Sequence, residues 1–449
     1  VKIARRLPSP KTSLAFFATG VALLTTAGPA HAAPGVPGNG KVSFSAFYGE
    51  TNASAAPAGI SDDGRFAAYY TWATNIVDED TTSRGDIYMY DRLWGLTELI
   101  SVALDGNAGD GDVAAATDTG RCVSADGRFV AFSSSSSNLV TGDRNETYDV
   151  FVRDRTLGTT QRVSLGVGRT EIKGESYPLG MTANGQKILF GTEVSLVGGD
   201  TNNQSDLYLH DRISGVTTLV TKRPNGSAIG TTDGTIDSAG NYVAFGTSVS
   251  LVGADTNSTP DLYRIRLSDS SIYLVSASTT GVVAANGYHS SPWISGDGTR
   301  VAFTSSATNL VSGDSNNDYD VFVKNITNGQ MLRASTSSAG AQSLAPGCAS
   351  ATLPTLSTTG RYVSMNCRGS DLVPGDTNGV YDSFIKDLQL GTMTLVSRVA
   401  GGAIQNKDGD FSMMTPDGSK LLFGSWGTNL TPGTPDTNNA RDIFVANRQ

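Results

Sequence analysis

One polar signature recurs along the chain with a composition suited to binding a cation. It is D-x-N-x-x-x-D, at Asp143/Asn145/Asp149, Asp200/Asn202/Asp206 and Asp255/Asn257/Asp261. Three more copies stand at Asp314/Asn316/Asp320, Asp376/Asn378/Asp382 and Asp436/Asn438/Asp442, and Asp80/Thr82/Asp86 is a degenerate one. Carboxylate and amide oxygens at alternate loop positions are ligands for a hard cation such as Ca²⁺, which takes about six to eight oxygens. The same side chains accept backbone N–H bonds and tolerate turn conformations. The motif lacks the acidic density and terminal Glu of an EF-hand, and a device repeated in every unit points first to scaffold. Ca²⁺ ligation and loop structure therefore stand as alternative expectations for these residues.

Other chemistry is sparse. The sequence has 3 His. His31 falls in the leader described below. His210, in DLYLHD, matches outer-strand positions of other units. His289, in NGYHSSPW, lies on a long connection and is a candidate ligand-binding residue, although imidazole chemistry needs an orienting partner. No G-x-S-x-G nucleophile motif occurs. Trp72 and Trp426 each stand three residues before an Asn, at equivalent positions of two units. Indoles there suit stacking on a sugar or peptide side chain, with inter-unit packing as the alternative. The 3 Cys are Cys122, Cys348 and Cys367. Cys348 and Cys367 flank an expected hairpin and fit a disulfide, leaving Cys122 as a small buried residue.

These residues need a scaffold, and a repeat supplies it. A turn followed by an apolar strand reads SDDGRFAAY from 61, SADGRFVAF from 124, TANGQKILF from 182 and DSAGNYVAF from 237. It returns as SGDGTRVAF from 295, STTGRYVSM from 357 and TPDGSKLLF from 415. Each unit holds four short strand candidates rich in Val, Phe and Tyr, separated by Gly, Asn and Asp turns. Seven such units indicate an all-β, seven-bladed β-propeller of four-stranded antiparallel blades. The seventh unit stops after its third strand at DIFVANRQ, so KVSFSAFYGE at 41–50 is expected to complete it beside Asp442–Ala446 and close the ring. The alternation of direction puts every long loop on one face and the tight turns on the other. Function is expected on the long-loop face.

The pattern DGRFVAF, NLVTGDRNETYDVFVRD, TTQRVS resembles the TolB-type propeller repeats of secreted bacterial proteins, over essentially all of 41–449. That resemblance implies the fold and leaves the activity open, because such propellers host many functions. The chain departs from the WD type in lacking a Trp-Asp ending, and from TolB itself in lacking an additional N-terminal domain.

Composition agrees with this reading. Hydrophobic residues make up 38%, charged residues 17%, and the net charge is −9. An acidic balance argues against a nucleic-acid partner. Lys2, Arg5, Arg6 and Lys11 precede the apolar run LAFFATGVALLTTA at 14–27, and Ala30 and Ala32 sit at small-residue cleavage positions. Residues 1–32 read as a signal peptide cleaved after Ala32, and 33–449 as one propeller domain. No later run is long enough to span a bilayer. The expectation is a secreted or periplasmic monomer without enzymatic activity that binds a protein or glycan through the long-loop face. The alternatives are a polysaccharide-acting lyase or hydrolase and a structural envelope protein.

Overall fold

The computed structural model describes residues 40–448 except 46–48, 115–120, 224, 232, 258, 282–286, 290–291, 344–346, 349–352, 399–401 and 432–435. The leader expected at 1–32 lies outside the described residues.

Seven four-stranded antiparallel sheets form the blades. Blade 1 runs outward through Ala55–Ile60, Phe66–Thr71, Asp86–Asp91 and Leu96–Leu99. Blade 2 runs from Val113–Ala114 to Thr159–Arg162, blade 3 from Ser176–Met181 to Val216–Leu219, and blade 4 from Gly234–Ile236 to Ile272–Leu274. Blade 5 runs from Trp293–Ile294 to Met331–Arg333, and blade 6 from Thr355–Leu356 to Met393–Leu395. Blade 7 contributes Gly409–Met414, Lys420–Ser425 and Asp442–Asn447, and Gly40–Lys41 is its outer strand.

The ring thus closes with the N-terminus in the last blade, but through a shorter strand than the sequence led us to expect. Gly40 pairs with Val445 and Lys41 with Phe444, and Val42 N–H donates to the Ile443 carbonyl. Phe44–Ser45 and Gly49–Glu50 then form a separate two-stranded hairpin. The reason is local: Ser43 gives its hydroxyl to Asp442, as the residue ending the outer strand does in every other blade, and the chain then leaves for blade 1.

The core lies between blades, not within them. Tyr69 and Tyr88 of blade 1 pack with Leu422 and Ile443 of blade 7, and the other seams repeat this arrangement. The conserved turn geometry makes the seams close. Gly127 has φ 71°, and a Cβ there would stand 2.4 Å from the Phe66 ring of the preceding blade. Gly185 meets Phe129 in the same way. Only glycine combines that conformation with that approach.

Backbone bonds run round the axis on the tight-turn face. Asp62 donates to Ala125, Ala125 to Ala183, Ala183 to Ser238, Ser238 to Gly296, Asp297 to Thr358 and Thr358 to Pro416, at 2.7–3.1 Å. Pro416 has no N–H to pass on to blade 1. The closing seam is instead bonded on the long-loop face, where Ala55 N–H donates to the Arg441 carbonyl at 2.8 Å. Cys348 and Cys367 are joined by a disulfide between the inner side of blade 6 and its second strand, while Cys122 is buried.

Candidate functional site

Each Asp–Asn loop enters a third strand from the long-loop face, and the last Asp is the first residue of that strand. All seven of these carboxylates are buried. Each accepts a hydroxyl from the end of its outer strand: Ser101 to Asp86, Ser164 to Asp149, Thr221 to Asp206, Ser276 to Asp261, Ser335 to Asp320, Ser397 to Asp382 and Ser43 to Asp442. The Asn links blades. Asn145 donates to Asp149 and to the Ile172 carbonyl, Asn316 to Asp320 and Ser343, and Asn378 to Asp382 and Gln405. Asn438 donates to the Thr51 carbonyl. Asn202 and Asn257 accept the backbone N–H of Gln204 and Thr259.

In five blades the first Asp of the loop is met in one of two ways, set by a cross-strand pair. In blades 1, 3 and 4 the pair is Tyr–Leu: Tyr88 with Leu99, Tyr208 with Leu219, Tyr263 with Leu274. Each tyrosine hydroxyl donates to the loop carboxylate, to Asp80 at 2.6 Å, to Asp200 and to Asp255. In blades 2, 5 and 7 the pair is Phe with a cation: Phe151 with Arg162, Phe322 with Arg333, Phe444 with Lys41. Arg162 reaches Asp143 at 2.9 Å, Asp149 at 3.0 Å and Glu171 at 3.2 Å. Arg333 reaches Asp314 at 3.2 Å. Lys41 instead reaches the last Asp of its loop, Asp442, at 2.6 Å, and Glu50 at 3.5 Å, while the first, Asp436, keeps one oxygen without a hydrogen-bond partner among the described residues. Blade 6 pairs Phe384 with Leu395, so it has neither device. There the buried Asp376 keeps one oxygen without a hydrogen-bond partner among the described residues. Burial pushes its carboxyl up against the opposing charge of Arg398.

This alternation bears on calcium. Glu50, Asp436 and Asp442 bring carboxylate oxygens within 4.8 Å of one another, a spacing that could hold a metal. The Lys41 ammonium already bonds two of the three acids, as Arg162 does among the equivalent acids of blade 2. In blades 1, 3 and 4 a tyrosine proton serves the loop carboxylate. A hard cation needs about six to eight oxygens; among the described residues Asp436 of the triad, like Asp86 and Asp376, keeps one buried carboxylate oxygen without a hydrogen-bond partner.

Burial raises several of these acids. The Asp86 and Asp382 carboxyls are pushed up to about 7, and those of Asp143, Asp206, Asp261 and Asp320 to about 6, each mainly because a charge there loses its water.

The His289 imidazole is buried. Its ring packs edge-on to Phe303, its Nδ1 lies 2.9 Å from Ser305 Oγ, and burial lowers it to about 4. The sequence placed it on a long connection correctly, but that segment folds the imidazole into the seam between blades 4 and 5, 3.9 Å from Asp261. His210 is likewise buried, beside Thr217, and lowered to about 4.

The two tryptophans occupy different settings. Trp72 is 54% exposed and packs edge-on to Tyr70, which belongs to the cluster between blades 1 and 2. Trp426 is half-buried at the seam between blades 7 and 1. The Arg441 guanidinium lies 5.2 Å from its ring and 5.9 Å from that of Phe411. Arg441 also donates to Asp410 at 2.5 Å and to the Ala55 carbonyl of blade 1. Phe411 sits at a bulge in the inner strand with φ 36°, a conformation a bulky residue adopts only under constraint. Burial raises the Asp410 carboxyl despite Arg441, and its second oxygen has no partner among the described residues. Sequence reasoning found Trp426 but missed Asp410, Phe411 and Arg441. The available signal was Arg441 itself, the one arginine directly before a third-strand Asp; blade 1 has Gly85 there and the others Tyr148, Ser205, Pro260, Tyr319 and Tyr381.

No family model matches the sequence, and no curated protein matches it. Many solved structures are similar in fold. TolB from Acinetobacter baumannii has 14% identity over 86% of this chain and 81% of its own, with a TM-score of 0.40. An oligogalacturonate lyase from Vibrio parahaemolyticus has 10% identity over 87% and 88%, with a TM-score of 0.49. The Cps50 (Swd1) β-propeller domain of Myceliophteria thermophila has 12% identity over 87% and 96%, with a TM-score of 0.45. These are likenesses of fold, and they leave the activity open.

Proposed function

We propose that the protein is a secreted, non-enzymatic propeller, cleaved after Ala32, whose 33–449 domain binds a glycan or protein ligand through the long-loop face. The observation that carries this is the Trp426–Arg441–Phe411 stack beside Asp410. It joins aromatic platforms, a fork of donors and a carboxylate oxygen without a partner, around a strained bulge. Such a set can stack on a ring and hydrogen-bond its polar groups. The enzyme reading is weaker, because the side chains of both mature histidines are buried and Asp410 is already paired with Arg441. Trp72, on the next seam, adds an exposed indole to the same face.

A glycan and envelope-protein array, read with and without calcium, tests this. Wild type should give hits that Trp426→Ala loses at an unchanged melting temperature and that Arg441→Met loses at a lower one, because Asp410 is left without its buried partner. Hits retained by both variants would remove the seam from the binding site.

A further inference from the structure

The two indoles of the long-loop face stand on duplicated loops. Trp72-Ala73-Thr74-Asn75 follows the second strand of blade 1, and Trp426-Gly427-Thr428-Asn429 follows that of blade 7. One asparagine from the segment leading into each blade fastens the loop. Asn52 accepts the Thr74 N–H at 3.0 Å and gives its amide to the Thr74 hydroxyl at 3.0 Å, while its own backbone N–H donates to the Asn75 side chain at 3.1 Å. Asn406 makes the same three bonds, with Thr428 at 2.9 and 3.0 Å and with Asn429 at 3.1 Å. From inside, Asn75 donates to the Glu50 carbonyl and Asn429 to that of Ile404. The neighbours of the two rings differ, Tyr70 for Trp72 and Arg441 for Trp426, but the loops that carry them do not. Blade 2 builds the same clasp from Asp110, Ser137 and Asn138, with Ser135 in the indole position. The clasp therefore holds without an indole, and the tryptophans are an addition to it in two adjacent blades. On the other side, blade 6 has Arg368 in that position.

We propose that the two loops are successive subsites for one neutral polysaccharide chain, with a sugar ring stacked on each indole. This rests on the binding role proposed above for the Trp426 seam and names its ligand. The duplication selects the occupant. A chain of repeating sugars offers the same ring face and the same hydroxyls at each repeat, so it meets one indole, amide and hydroxyl set twice. A folded protein offers no such repeat, and the core of a protein interface needs contiguous, closely packed area, which two indoles on separate loops do not supply. The indole is a broad apolar platform for a sugar face, and a few polar groups beside it fix orientation. Those groups are uncharged here: Asn52, Thr74 and Asn406 are exposed beside the rings. The charges nearby are already engaged. Arg441 holds Asp410 and the Ala55 carbonyl, Lys407 donates to Asn439, and Asp408 accepts the Tyr381 N–H. An uncharged sugar meets this surface without leaving a charge unpaired.

The mature chain is titrated calorimetrically with cello-, chito-, manno- and xylo-oligosaccharides of increasing length. One series should bind. Its short members should occupy both indoles, two per chain. Its long members should bind one per chain, and roughly tenfold or more tightly, once their length joins the two platforms. Trp72→Ala and Trp426→Ala should each reduce the short oligomers to one per chain and abolish the gain with length. Both should melt at the wild-type temperature, because blade 2 keeps its clasp with Ser135 in place of the indole. Absence of binding in all four series would overturn the proposal. So would binding that needs Trp426 but is indifferent to chain length and to Trp72→Ala, which would leave the seam as a single site. Array hits confined to proteins and lost in Trp426→Ala would also overturn it, while keeping the seam as a binding site.

Discussion

At the scale of single residues, the repeat has two interchangeable solutions to one problem. A carboxylate buried at the start of a blade loop is stabilised by a proton donor or a positive charge. Tyr opposite Leu supplies the first in blades 1, 3 and 4, and Phe opposite Arg supplies the second in blades 2 and 5. The two are the same volume of side chain distributed differently across one strand pair. Arg162→Leu should therefore destabilise the protein by about 3–5 kcal/mol, because three acids lose their buried partner. Adding Phe151→Tyr rebuilds the pattern of blades 1, 3 and 4 and should recover about 1–2 kcal/mol of that loss. Urea unfolding of the two single variants and the double variant measures the coupling. Additive losses would mean that the tyrosine hydroxyl does not reach Asp143.

At the scale of elements, the clasp of blade 7 is short in backbone and strong in side chains. Gly40–Lys41 offers few ladder bonds, but Lys41 and Ser43 both bond Asp442, and Glu50 accepts the N–H groups of Thr437 and Asn438. Pro416 leaves the tight-turn side of the same seam without a backbone bond from blade 7 to blade 1. Closure therefore depends on the N-terminal segment. Deleting residues 33–50 should strand the buried Asp442, open a sheet edge and give a broad melt with aggregation. A sharp calorimetric transition at the wild-type temperature would show that the clasp is dispensable.

At the scale of the whole molecule, the ring of buried acids sets the pH response. The folded-state pKa values of Asp86, Asp143, Asp206, Asp261, Asp320 and Asp382 are raised to about 6–7, above the unfolded value near 3.9. The folded state then holds more protons between about pH 4 and 7, so their contribution is complete below the unfolded pKa and is lost as pH rises through 6–7. His210 and His289, lowered to about 4, act oppositely and lose their contribution as pH falls from about 6.5. Salt-bridged acids held below their usual range, such as Asp91, Asp154 and Asp387, fail only at lower pH. Six groups against two should place the highest melting temperature near pH 5, with a fall toward pH 8. A melting temperature that climbs steadily from pH 5 to pH 8 would contradict the raised acids.

Period and turn chemistry lie within a few residues, so the sequence alone determined the seven blades, the strand order, the two unequal faces and the N-terminal closure. SADGRF or TANGQK specifies its turn wherever it stands, because Gly127 and Gly185 need a left-handed φ. The local motif D-x-N-x-x-x-D was equally plain, but its role was not. That depends on whether a Tyr, Arg or Lys arrives from the neighbouring strand, and Lys41 comes from 401 residues away in the chain. His289 looked available until burial beside Phe303 was known. The Arg441 stack joins residues from three segments of blade 7. Such juxtapositions are set by the closing of the ring, which brings distant segments together across seams that no local pattern encodes.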